Sequence, residues 1–110
     1  MGFFDIFFHP NISEGLQAFY QDPRSVLLDV RTCEEYREGH IPGSRNLPLD
    51  ELSQARQVLP DQEVPHYVYC YSGARSRQAV AQLKRMGYQN VTNIGGMMSY
   101  RGQIEGGLGT

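Results

Sequence analysis

Residues 66–87, "HYVYCYSGARSRQAVAQLKRMG", decide the fold. The first five, "HYVYC", read as a short buried strand that ends on Cys70. From about Gly73 to Met86, the apolar residues Ala79, Val80, Leu83 and Met86 share one helical face, and Gly87 suits the helix C-terminus. Ser72, Gly73 and Ala74 make the loop between them small and bendable. This is a strand, a tight loop and a helix, with a lone thiol at the junction.

The same alternation extends in both directions. Upstream, "SVLLDV" (25–30) is a continuous apolar run that reads as a strand buried on both faces. Thr32 and Glu35 have capping-box spacing over "TCEEYREG", and Gly39 suits the end of that helix. "HIPGSRNLP" contains a turn at Pro42-Gly43 and then a brief strand near Arg45 to Leu47. "LDELSQARQVL" carries apolar residues at 49, 52, 55, 58 and 59, which predicts a helix. Near the start, Asn11 and Glu14 open a helix with Leu16, Phe19 and Tyr20 on one face, and Asp22-Pro23 closes it. Downstream, "NVTNI" is the last strand, "GGMMSYRGQ" a glycine turn with a short helix, and "GGLGT" a mobile tail. Strands that alternate with helices predict an α/β domain, a parallel sheet with helices on both faces. Such sheets bind ligands beyond the carboxyl ends of their strands, where Cys70 falls.

The bulk numbers agree with one small domain. The chain has 110 residues, 40% of them hydrophobic and 20% charged, with net charge -2. That charge does not favour nucleic-acid partners. The distribution is uneven: Val64 to Ile104 contains no acid, while Arg75, Arg77, Lys84, Arg85 and Arg101 lie within it. The Cys70 half is therefore expected to be locally positive, which suits a small anionic substrate. "MGFFDIFF" is too short to span a membrane and lacks a basic flank, so no signal peptide or integral membrane segment is expected. Gly2 lacks the Ser or Thr at position 6 that myristoylation prefers. Phe3, Phe4, Phe7 and Phe8 form an apolar cluster that could pair two copies of the chain. With two cysteines and no leader, reduced thiols and a cytoplasmic location are expected. His9, His40 and His66 are scattered and neither cysteine has zinc-ligand spacing, so neither a metal nor another cofactor is expected.

A thiol at this position gains reactivity. The thiolate is the nucleophile, and helix N-termini and cations lower its pKa. The loop amides can curl around the sulfur, the helix from Gly73 points its positive end at it, and Arg75 adds a fixed charge. The plain alternative is a small apolar residue ending a strand.

"LLDVRTCEEYREGHIPGSRNLPLDEL", "VYCYSGARS" and "GYQNVTNIGGMMSY", in this order and spacing, resemble a single-domain rhodanese of the thiosulfate sulfurtransferase family. The resemblance runs from about residue 12 to 104, leaving an apolar segment at 1–11 and a flexible tail at 105–110. It implies a five-stranded parallel sheet. It implies that Cys70 takes a sulfane sulfur from thiosulfate, a polysulfide or a protein persulfide and passes it to a thiol, cyanide or sulfite. By position, Tyr71, Ser72, Gly73, Ala74 and Arg75 take the place of the cradling loop. Asp29, Arg31, Glu35 and His40 fall in the family's upstream signature. We read Asp29 and Arg31 as a hydrogen-bonding brace and His40 as a tie for the Pro-Gly turn. One departure concerns the pocket rim: the Trp that relatives often carry after the "GGM" turn is replaced here by Met98, Ser99 and Tyr100.

Two rival readings differ in class. A cysteine phosphatase or arsenate reductase also sets a Cys before an Arg at a helix start, but its loop is one residue longer than Cys70–Arg75, wide enough for three phosphate oxygens. A non-enzymatic docking or sulfur-carrier module would keep the fold without turnover. Cys33, just past the Asp29 strand, is a candidate resolving thiol for a persulfide on Cys70.

Overall fold

The computed structural model describes residues 11–107. Helix α1 (Ile12–Gln21) starts where the Asn11 side chain accepts the Glu14 N–H, and it buries Ile12 and Leu16. Strand β1 (Val26–Asp29) is followed by helix α2 (Cys33–Glu38), whose Thr32–Glu35 capping box is complete. Strand β2 (Ser44–Asn46) precedes a 3₁₀ helix (Leu49–Gln54) that runs into a single α turn, α3 (Ala55–Val58). Strand β3 (His66–Cys70), helix α4 (Ala74–Arg85), strand β4 (Val91–Gly96) and a 3₁₀ turn (Met97–Ser99) complete the order.

The strands form one parallel sheet in the order β2-β1-β3-β4. Alternate residues feed two cores, as the pleat requires. Leu28, Val68 and Cys70 face Ala79 and Leu83 of α4, with Leu52 and Ala55 in the same cluster. Leu27, Tyr69 and Ile94 face Ile12 and Leu16 of α1. Helices thus cover both faces of the sheet.

Two expectations need correction. Among the described residues the sheet has four strands, not five. The residue patterns themselves mark only four runs; the fifth strand came from the family resemblance alone. The helix expected over 49–59 is mainly 3₁₀. The physical reason lies in its spacing: apolar residues at 49, 52, 55 and 58 repeat every third residue, the 3₁₀ period. The chain also stays packed past 104. His40 and Glu105 exchange backbone hydrogen bonds of 2.9 and 2.8 Å, and the Gly107 N–H donates to the Arg37 carbonyl at 2.7 Å. Backbone atoms paired in this way tie residues 105 and 107 to His40 and Arg37. Phe3, Phe4, Phe7 and Phe8, and the expected tail at 108–110, lie outside the described residues. Among those described, no helix is long and apolar enough to cross a membrane.

Candidate active site

Cys70 ends β3 at the carboxyl edge of the sheet, paired with Gly96 of β4. The register of β3 and β4 shifts between Val68 and Tyr69: Val68 faces Asn93 and Tyr69 faces Gly95, so Ile94 is the extra residue. Such an irregularity re-aims the strand next to the loop. A Cβ on Gly96 would overlap the Tyr71 carbonyl, so only glycine lets the loop lie this close to β4. Gly73 then turns the chain with φ +104°, a left-handed value, and caps α4.

The sulfur is deep. Cys70 is 1% exposed and borders the apolar cluster of Leu28 and Val68. It is nevertheless polar on one side. Its Sγ accepts the Gly73 N–H at 3.0 Å and the Ser76 N–H at 3.4 Å, and lies 3.4 Å from the Ser76 hydroxyl. Burial opposes ionisation of the thiol. Hydrogen bonds from the Ser76 hydroxyl and from the amides of Ser76, Gly73 and Arg75 outweigh it, and the Cys70 pKa falls below its ordinary value. The sulfur therefore sits in a pocket of N–H groups at the positive end of a 12-residue helix, an arrangement that favours the anion.

Ser76 lies beyond the loop expected to hold the sulfur, yet it makes two of its polar contacts. Its hydroxyl also donates to Asn93 Oδ1 at 2.7 Å and to the Gly73 carbonyl at 3.1 Å, while Asn93 Nδ2 donates to the same carbonyl at 3.2 Å. Asn93 thus ties the loop to β4. The sequence held one signal for Ser76: a small hydroxyl residue in the first helical turn, where side chains return to the preceding loop. Tyr71 and Ser72 are exposed.

Arg75 is held in an ion pair. It does not present an unpaired charge beside the sulfur. Its Nη1 and Nη2 donate to Glu35 Oε1 and Oε2 at 2.7 and 3.1 Å. The Arg75 hydrogen bonds, aided by those of Thr32 and opposed by burial, hold the Glu35 carboxyl down to about 2. Asp50 lines a cavity of about 70 Å³ together with Arg75, Val30, Thr32, Pro48 and Leu49. At Arg75 the positive charge expected from the sequence is therefore offset, because folding brings Glu35 of the first half of the chain against it.

Asp29 and Arg31 form a buried bidentate pair at 2.7–3.1 Å, and Arg31 Nη2 also donates to the Gly39 carbonyl. This brace fixes the turn after β1, and Asn46 Nδ2 bonds the carbonyls of Asp29 and Arg31 to extend it to β2. His40 stacks on Tyr36 with ring centroids 3.7 Å apart, and its Nδ1 donates to the Tyr36 carbonyl at 2.8 Å. Its Nε2 lies 3.8 Å from the Glu105 carboxylate. Its polar contacts run to α2 and the C-terminal segment. Cys33 begins α2, is exposed and receives Arg37 Nη1 at 3.5 Å; both cysteines are free thiols. A larger cavity of about 430 Å³ opens at the opposite edge of the sheet, where Val26 and His66 begin their strands.

A family model for the rhodanese-like domain matches residues 13–103. The chain is 38% identical over 102 residues to the putative sulfur carrier protein YrkF of Bacillus subtilis, covering 87% of this chain and 53% of that one. The chain thus spans about half the length of that relative. It is 39% identical over 71 residues to the thiosulfate sulfurtransferase PspE of Escherichia coli, covering 64% and 68% of the two chains. A solved structure of a rhodanese with anions from E. coli superposes with a TM-score of 0.69 at 34% identity, covering 76% of this chain and 99% of that one. Matched over nearly its whole length, with a strand-end cysteine cupped by the start of a helix, the chain belongs to the rhodanese-like family, whose relatives here are named for transferring or carrying sulfur.

Proposed function

We propose that the chain is a sulfurtransferase in which Cys70 carries the sulfur. The Cys70 thiolate attacks the outer sulfur of thiosulfate, a polysulfide or a protein persulfide. With thiosulfate, the new S–S bond forms as the bond to the sulfite group breaks, and the sulfite leaves with its electron pair. Cys70 is left as a persulfide anion, which the loop amides and the helix dipole stabilise as they did the thiolate. An acceptor thiolate, cyanide or sulfite then attacks the outer sulfur and regenerates the Cys70 thiolate. No proton has to be removed in either step, so His40 acts in the fold and not as a base.

The observation that carries this reading is the set of N–H donors on Cys70 Sγ at the start of α4. Intact-mass measurement after incubation with thiosulfate tests it. The expected result is a gain of one sulfur atom, lost on adding cyanide with release of thiocyanate, and absent in Cys70→Ser. Full transfer by Cys70→Ser overturns the assignment. The carrier named among the relatives would share the loading step; repeated turnover of thiosulfate and cyanide separates a catalyst from a carrier loaded once.

A further inference from the structure

Two arginines stand at the carboxyl edge of the sheet near Cys70, and each is held by a carboxylate. Arg31 is locked into the brace with Asp29. Arg75 is closer to the chemistry, since its backbone N–H helps lower the Cys70 pKa. Its guanidinium is gripped by both oxygens of Glu35, and both side chains are 34% exposed. Asp50 lines the same small cavity as Arg75. A bidentate Arg–carboxylate pair uses the donors that an oxyanion would need.

We infer that Glu35, supported by Asp50, withholds the Arg75 charge from the incoming donor and so sets its class, favouring sulfane sulfur on weakly charged carriers over dianionic thiosulfate. The inference rests on sulfur transfer at Cys70 and adds which donor the site prefers. Glu35 is here a positioning residue, because it acts through Arg75. Its carboxylate also accepts the Thr32 N–H in the α2 capping box. A glutamine at that helix position can fill the same role, so Glu35→Gln removes the charge while keeping the cap.

The test compares two donors that deliver the same sulfur. Thiosulfate carries two negative charges and releases sulfite; methanethiosulfonate carries one and releases methanesulfinate. In both, one S–S bond forms at Cys70 and one S–S bond breaks, and the leaving group takes the electron pair. Coulomb energy scales with donor charge. In E35Q, kcat/KM for thiosulfate is expected to rise about tenfold and that for methanethiosulfonate about threefold. Asp50 is exposed on a 3₁₀ turn, and Asp50→Asn is expected to move the donor ratio the same way by about twofold; it carries the test if E35Q does not fold. Both gains are expected to shrink with added salt. A donor ratio unchanged in the variants, or a fall for both donors alike, overturns the selection by charge. If the unaltered chain gains sulfur from neither donor by mass, the sulfurtransferase reading fails, and this inference with it.

Discussion

Ser76 carries one hydroxyl hydrogen and has three acceptors within reach: Asn93 Oδ1 at 2.7 Å, the Gly73 carbonyl at 3.1 Å and Cys70 Sγ at 3.4 Å. The neutral thiol can donate to Ser76 Oγ, leaving the hydroxyl hydrogen for Asn93. The thiolate can only accept, so the hydroxyl must turn toward it. Ionisation of Cys70 and rotation of Ser76 are thereby linked. Ser76→Ala removes this hydrogen bond but keeps the Ser76-position amide. The Cys70 pKa is expected to rise, moving the rising limb of the loading rate to higher pH. At neutral pH the rate should fall on the order of tenfold, the scale of one hydrogen bond to a charged group. The rate of persulfide formation across pH reads this directly. An unshifted profile would remove Ser76 from the account. Cys70 itself was legible in the sequence because a strand end, a small loop and a helix start surround it. Ser76 left only one trace, a hydroxyl residue in the first helical turn, since its contact depends on how that turn packs against the sulfur.

At the scale of elements, the site depends on the β3–α4 loop lying against β4. Gly96 has extended backbone angles that any residue adopts, so its glycine is required by space alone. Gly96→Ala pushes a methyl group into the Tyr71 carbonyl, and backbone has little room to yield. A loss of about 1–3 kcal/mol is expected from overpacking of this kind. The loop that carries Gly73 should shift with it, so persulfide loading should fall beyond what the lost stability explains. Urea midpoints and loading rates on the same sample check both. An alanine variant with unaltered stability and loading would remove the close approach from the account. The sequence showed where the strands and most helices lie, because branched runs, caps and glycine stops mark them locally. It placed the last strand at "NVTNI", whereas β4 continues through Gly95 and Gly96. Paired glycines read as a turn when their neighbours are unknown, and here they extend a strand because the loop packs on them. The irregular pairing at Ile94 left no sequence signal either, since it is fixed by the partner strand.

Across the whole molecule, an ion pair joins charges that lie far apart along the chain. Glu35 and Arg75 are 40 residues apart and join α2 to α4. Stability should consequently respond to acid in two separate windows. His66 is 1% exposed, with Nδ1 donating to the Val64 carbonyl at 2.8 Å and Nε2 without a hydrogen-bond partner among the described residues. Burial is the main cause lowering its pKa; Arg45 lowers it too, while the Val64 carbonyl and Asp61 oppose. Tyr88 packs edge-on against the ring. The unfolded chain therefore binds a proton near the ordinary 6.5 while the folded one resists. This contribution is complete above pH 6.5 and is lost as pH falls below it toward the depressed folded value, with a slope of at most about 1.4 kcal/mol per pH unit. Glu35 acts lower. Its contribution is present above 4.5 and lost as pH falls from there to about 2, and its partial exposure makes it weaker and sensitive to salt. Urea unfolding from pH 7 to pH 3 should show the upper window unchanged by salt and by E35Q, and the lower one flattened by both. A stability curve level between pH 6.5 and 5 would mean that His66 takes up its proton without leaving the fold, and that the ring is less sealed than its burial implies.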